Sequence, residues 1–438
     1  MSFNTVLDEI STVNSETSPS WFSNARYGLF VHFGLFSLLG RGEWVMNRES
    51  ISPSDYAKFA LSFNPHRFDA ARLADLAVAG GMKYVVFTTM HHEGFRMYDS
   101  QLTDFTSVRA AARRDFVAEM IAASRARGLK VGLYHSLNNW TDQPDAVAAY
   151  EDTADYNAFI TRTHARIREL LEKYKPVDIL WYDGHWPFTA DGWRSQEMNA
   201  MVRSIQPHIL VNGRNGLPGD FSTPEGHLGA PNPWRPWEAC MTLNDSWGYH
   251  AGDQHWKSPA DVVEMLATCA QYRGNLLLNI GPDGEGVIPE PSVKVIREVG
   301  AWLRRGGSEA IFDTDKFTWN LNDKGSHRGD WNHHGPVTAK GRCLYWFLRR
   351  WPGVSAVLSG VQERLRHASL LSSRQPVSFR QEGDVVRFEG LPAVPDDPVC
   401  PVLRLKFEDP PSLYQCGGMR VPCYPHPHYD PGLSDIKH

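Results

Sequence analysis

Cysteine is scarce in this 438-residue chain: there are six, and no two form a C-x-x-C pair. That excludes a zinc-ribbon or thioredoxin-like motif and predicts a reduced chain without a structural metal. Basic charge is not in excess either, with 45 Lys and Arg against 50 Asp and Glu and a formal charge of −5. Nothing in that balance neutralises a phosphate backbone, so nucleic acid is not expected as a partner. No apolar run approaches the ~20 residues that span a bilayer, and membrane insertion is not expected. The first twenty residues lack a basic stretch followed by an apolar one, so no signal peptide is read and a cytoplasmic protein is expected. The glycosylation-like triplets at Asn139 and Asn244 then carry little weight. G-x-S-x-G elbows, P-loops, H-E-x-x-H pairs and internal repeats are all missing. A homo-oligomer is compatible with the composition.

Aromatic residues, by contrast, are plentiful: 15 Trp, 15 Tyr and 21 Phe. Such a surplus suits a large core, and equally a site that stacks on flat apolar faces. From residue 28 to about 305, short apolar runs (Leu29 to His32, Tyr84 to Thr89, Val131 to His135, Ile179 to Asp183, Ile209 to Asn212, Leu276 to Ile280, and a weaker Ala239 to Leu243) alternate with amphipathic stretches at 70–80, 115–127, 154–174, 260–272 and 291–304. Strands alternating with helices predict a parallel sheet of βαβ units, here an α/β fold of the (β/α)8-like barrel type. Seven strands are legible and the eighth is inferred. After Ala310 helical periodicity fades and short alternating runs predict a small antiparallel β-sandwich with a Pro-rich tail. The expected domains are therefore 1–310 and 311–438.

A barrel enzyme carries its chemistry where strands end, at the C-terminal face. Five successive runs end in polar groups: His32; His91 and His92; Tyr134 and His135; Asp183; Asn212 and Arg214. One such residue is ordinary turn chemistry, whereas the repetition predicts a polar pocket. Asp183, flanked by Trp181, Tyr182 and Gly184, is the sharpest catalytic candidate. A second carboxylate is offered by Glu225, in an expected loop, or by Glu238 beside Trp237, where desolvation would favour a general acid. Both stand open on sequence grounds. His91 and His92 are adjacent, so on a strand they would face opposite sides and only one would reach a given site. With no ligand cluster of suitable spacing, no metal is expected. His333 and His334 read as surface or loop residues, and Gly281 to Gly286 as a tight turn rather than a phosphate cradle.

Taken in order, Trp21-Phe22, Arg26 to Gly34, Gly42-Glu43-Trp44, Lys83-Tyr84, Thr88 to Gly94, Trp181 to Gly184, Ser246 to Tyr249 and Leu277 to Pro282 resemble the motifs of the α-L-fucosidases of glycoside hydrolase family 29. The resemblance spans roughly 20–305. It implies a retaining exo-hydrolase that releases terminal α-L-fucose from fucosylated glycans through a covalent glycosyl-enzyme, without cofactor or metal. It implies Asp183 as nucleophile and, through Thr223-Pro224-Glu225, Glu225 as acid/base, with Glu238 the alternative. It also implies sugar contacts from His32, Glu43, Trp44, His91, His92, Tyr134, Trp181, Arg214 and Trp247. A loop-borne Glu225 would allow the site to be completed by loop movement. The competing readings are a non-catalytic carbohydrate-binding barrel and a metal-dependent barrel hydrolase.

Overall fold

The computed structural model describes residues 20–142, 153–231, 233–317 and 335–413. His333, His334 and the Pro-rich tail lie outside them. Seven parallel strands, β1 (Tyr27–Val31), β2 (Tyr84–Met90), β3 (Lys130–Ser136), β4 (Ile179–Asp183), β5 (Leu210–Val211), β6 (Glu238–Thr242) and β7 (Asn275–Ile280), pair in the order β5-β4-β3-β2-β1-β7-β6. Nearly every position in them is buried, as strands covered on both faces require. The gap between β5 and β6 is spanned by segment 221–225. Phe221 pairs in parallel with Asn212, Ser222 with Trp237 and Glu225 with Cys240. The backbone N–H of Cys240 donates to the Pro224 carbonyl at 3.0 Å and that of Gly226 to the Cys240 carbonyl at 3.2 Å. This segment is the eighth barrel member, so the expected loop around Glu225 is instead tied into the sheet.

The two-residue period of each strand sorts its side chains into two cores. Phe30, Tyr84, Val86, Tyr134, Ile179, Trp181, Leu210, Phe221, Cys240 and Leu277 point inward and fill the barrel. Their neighbours Leu29, Val31, Val85, Phe87, Leu133, Leu180 and Tyr182 point outward, beneath the helices. Six helices lie on this outer layer: Ala70–Ala79, Phe116–Arg125, Thr153–Lys173, Ser195–Ile205, Pro259–Gln271 and Glu290–Trp302. Pro259–Gln271 begins at a full capping box, in which Ser258 and Asp261 satisfy each other's backbone N–H groups, with Pro259 at the first helical position. None of the helices found among the described residues is long and apolar enough to cross a membrane.

Beyond the barrel, β8 (Val337–Lys340), β9 (Cys343–Phe347), β14 (Val402–Phe407) and β11 (Leu365–Leu370) form one antiparallel sheet. A second consists of β10 (Ser355–Leu358), β13 (Val385–Glu389) and β12 (Ser378–Glu382). Alternation works here too. Leu344, Trp346 and Leu348 face the core the two sheets share, while Tyr345 and Phe347 join the core of the barrel's outer layer. The contact is reinforced by Glu309, which accepts from Tyr345 at 2.9 Å, Arg374 at 2.8 Å and Arg404 at 2.7 Å.

Helices Ala70–Ala79 and Glu290–Trp302 approach most closely at Gly300, where a Cβ would stand 1.8 Å from the Ala79 carbonyl oxygen. Alanine is the better helix former by ~1 kcal/mol, yet Gly300→Ala must push the two helices apart. The expected outcome is a net loss of about 1–3 kcal/mol in unfolding free energy, read from the urea midpoint; an unchanged midpoint would mean that the helices separate freely.

Candidate active site

At the C-terminal mouth of the barrel the strands surround a cavity of about 100 Å³. Its walls contain His32, Glu43, Trp44, His91, His92, Tyr134, Trp181, Asp183, Arg214, Glu225 and Trp247, together with Phe30, Trp186 and Cys240. Every catalytic or sugar-contact residue that the resemblance implies is there except the alternative Glu238, whereas two of the strand-end polar residues are not. Inward alternation explains the selection on β3 and β4: Tyr134 and Trp181 enter the cavity. His135 points the other way, toward Thr89 at 2.9 Å and Arg166 at 3.2 Å. Asn212 does not enter either; it clamps β4, accepting from the Tyr182 N–H and donating to the Tyr182 carbonyl, each at 3.0 Å.

The expectation that His91 and His92 would face opposite sides is corrected. Strand β2 ends at Met90, so both histidines lie beyond the pleat, and both line the cavity with ring centroids 4.0 Å apart.

Asp183 is 13% exposed and fully engaged. The Tyr134 hydroxyl donates to its Oδ2 at 2.8 Å and Arg214 Nη1 donates to its Oδ1 at 3.0 Å. Burial pushes its carboxyl up, but the Arg214 charge, His92 and the two hydrogen bonds outweigh it and hold the group below the ordinary aspartate value. The same Arg214 nitrogen is 2.7 Å from Glu225 Oε2. Two oxygens at 3.0 and 2.7 Å from one atom are at most those lengths combined, 5.7 Å, apart. Arg214 is itself fixed by Nε donating to Thr223 Oγ1 at 3.0 Å and by the Trp181 face 4.7 Å below its guanidinium carbon.

The histidines act as neutral acceptors. Asn279 Nδ2 donates to the Trp247 carbonyl at 2.7 Å, which turns its Oδ1 toward His32 Nδ1 at 2.7 Å. His32 must then carry its proton on Nδ1 and present a bare Nε2. Likewise Ser136 Oγ donates to the Asn138 carbonyl at 2.7 Å and so accepts from His92 Nδ1 at 2.7 Å. His92 Nε2 is left 3.9 Å from Asp183 Oδ2. Burial drives both imidazoles down to about 4, keeping them uncharged at neutral pH. Glu43 accepts from the Gly248 N–H at 2.7 Å, and burial pushes its carboxyl up. Beneath His91, Glu93 Oε2 stands 3.7 Å from Nδ1, and burial raises Glu93 to about 8, so it is protonated at neutral pH.

Glu238, the alternative second carboxylate, is fully buried one layer below the cavity. It accepts from the Trp181 indole N–H at 2.9 Å and from the Tyr84 hydroxyl. Burial raises it to about 7. It buttresses Trp181 and does not line the cavity. Among the described residues, Asp245, Asp253 and His255 are grouped closely enough to hold a metal ion; none of them lines this cavity. Gly281 to Gly286 forms a turn closed by Asp283, whose Oδ1 accepts from the Glu285 and Val287 N–H groups at 2.9 Å.

Sequence reasoning missed Asn279 and Ser136, which set the histidine protons, and Trp186 at the rim. Asn279 was visible as a polar residue inside the run Leu276 to Ile280, and Trp186 as a tryptophan two residues beyond Gly184.

Residues 4–308 match the sequence model of the family described as alpha-L-fucosidase. The chain is 31% identical over 372 residues to the tissue alpha-L-fucosidase of Rattus norvegicus, covering 78% of each protein. Among solved structures it is similar to alpha-L-fucosidase isoenzyme 1 from Paenibacillus thiaminolyticus, with a TM-score of 0.80 and 34% identity over 90% of this chain and 100% of that one. It is also similar to the Thermotoga maritima alpha-fucosidase bound to a mechanism-based inhibitor, with a TM-score of 0.73 and 27% identity over 89% and 96%. A barrel cavity lined by three acidic side chains and neutral histidines, together with these matches, places the chain in the α-L-fucosidase family, glycoside hydrolase family 29, as a glycoside hydrolase.

Proposed function

We propose that this chain is a retaining, exo-acting α-L-fucosidase that releases terminal fucose from fucosylated oligosaccharides or glycoconjugates by double displacement. One observation carries the reading: Asp183 and Glu225 share a single guanidinium nitrogen (3.0 and 2.7 Å from Arg214 Nη1), which brings one oxygen of each to within 5.7 Å of the other and favours a close pair of carboxyls over a widely spaced one. Retention through a covalent intermediate wants carboxyls ~5–5.5 Å apart, whereas inversion needs ~6.5–9.5 Å to admit a water. The mechanism-based inhibitor held by the Thermotoga maritima relative suits the same route.

In the first step an Asp183 oxygen attacks the anomeric carbon. The bond from that carbon to the leaving oxygen breaks, and the Glu225 proton passes to the departing oxygen. In the second step Glu225 takes a proton from water, the water oxygen bonds to the anomeric carbon, and the Asp183 ester bond breaks. Bare Nε2 atoms of His32 and His92 accept hydrogen bonds from sugar hydroxyls, and Glu43 adds a further polar partner. Phe30, Trp181 and Trp247 supply an apolar wall for the C5 methyl. The cavity is floored by Trp181 and the buried Glu238 below it, so it admits a chain end rather than a chain interior. All its lining residues precede 310, and catalysis is assigned to 1–310 with the antiparallel unit, 311–438, as support.

Asp183→Gly is expected to abolish hydrolysis of an aryl α-L-fucoside, with azide restoring turnover and yielding β-fucosyl azide. Near-wild-type activity of that variant would end the nucleophile assignment. Azide should rescue Glu225→Ala to give α-fucosyl azide. Glu238→Ala, which strips the acceptor from two buried donors, is expected to lose about 1–3 kcal/mol of stability and to gain nothing from azide. Rescue confined to the Glu238 variant would exchange the two roles.

A further inference from the structure

The fucose cavity is continuous with a second, more open groove. Asp183, Trp186 and Arg214 line both. The groove has a volume of about 460 Å³, and its walls include His185, Leu217, Pro218, Thr223 and Arg235. Three features give it a direction. One wall is Ser222 and Thr223, the residues that lead through Pro224 to Glu225, so the groove begins where the proposed proton donor meets the leaving oxygen. Trp186 forms the opposite rim and is 41% exposed, although an indole gains most from burial. Its orientation is set from within. Its ring lies 11° from parallel with Trp44 at 6.1 Å and meets His92 edge-on at 5.3 Å, while Asn138 Nδ2 donates to its carbonyl at 3.3 Å.

We infer that Trp186 is a specificity-determining residue on which the first sugar ring of the leaving group stacks, the groove beyond it being the binding site for the rest of that glycan. The inference rests on the reading of Glu225 as acid/base and extends it to the other side of the scissile bond. A pyranose presents a face of C–H bonds that packs against an indole, with hydroxyls at its edge. Trp186 supplies the flat face, and Thr223, His185 and Arg235 supply hydrogen-bonding partners around it. Leu217 and Pro218 close the far side with apolar surface. Trp186 positions the leaving sugar, and Trp44, stacked behind it, belongs to the fucose side, so one aromatic pair divides the two subsites.

The test compares two substrates in wild type, Trp186→Ala and Trp186→Phe. One is α-L-fucosyl fluoride, whose leaving group carries no ring. The other is whichever of the α1,2-, α1,3-, α1,4- and α1,6-linked fucosyl disaccharides the wild-type protein cleaves fastest. The expected result is that kcat/KM for the disaccharide, divided by that for the fluoride, falls about tenfold in Trp186→Ala, mostly through KM, and is largely restored in Trp186→Phe. A ratio equal to wild type, whether both activities fall together or neither does, overturns the inference, as does a wild-type protein that cleaves fucosyl fluoride but none of the four disaccharides. Failure of the underlying reading shows differently: wild type would leave fucosyl fluoride intact, or azide would rescue neither Asp183→Gly nor Glu225→Ala.

Discussion

One guanidinium sets the geometry on which the site depends. Arg214 Nη1 reaches both Asp183 and Glu225, and without it the buried Asp183 would face the more exposed Glu225 with no positive charge between them. Ion pairs in such surroundings add little net stability, because desolvation offsets most of the attraction. What they fix is position. The position is relayed from the barrel interior: Tyr84 and Glu238 hold the Trp181 indole, Trp181 carries Arg214 on its face, and Arg214 spans the two acids. A carboxylate that touches no sugar thus orients the two that are proposed to.

The protonation pattern of the pocket follows the same logic of distant support. His32 and His92 are kept neutral by burial, and their acceptor nitrogens are aimed by Asn279 and Ser136. A charged imidazole would offer only donors. A neutral one with a fixed tautomer accepts from a hydroxyl, and a sugar presents hydroxyls in fixed directions, so tautomer control becomes a form of recognition.

Much of the barrel was legible because each strand is a nearly unbroken apolar run with a polar group at its end. The Ile179 to Asp183 run coincides with β4, and the others differ by one or two residues at their ends. Segment 221–225 was not legible as a strand, since Phe-Ser-Thr-Pro-Glu carries no strand pattern; its pairing comes from closure of the ring around it. The choice between Glu225 and Glu238 had the same cause. Glu238 lies two residues before the inward Cys240, one layer deeper, and depth within a barrel depends on register, which is a tertiary quantity. Helix Ser195–Ile205 was missed because only Ser195, Met198 and Val202 are buried along it.

The barrel is not uniform around its circumference. Between Ile205 and Pro259 the described residues contain no helix, and the arc that carries Glu225 consists of short turns and single bridges. Asp183, by contrast, ends a strand that pairs with β3 along its whole length, Ser136 lying opposite Asp183, and with the two-residue β5 at Ile179 and Leu180. Insertions and deletions are tolerated where little packing must be rebuilt, and longer loops cost little. The proposed nucleophile is therefore anchored by continuous strand pairing to β3. The proposed proton donor and leaving-group side occupy the part where evolution can lengthen, shorten or re-site the chain, and so would alter which linkage is accepted without disturbing the carboxylate that ends β4.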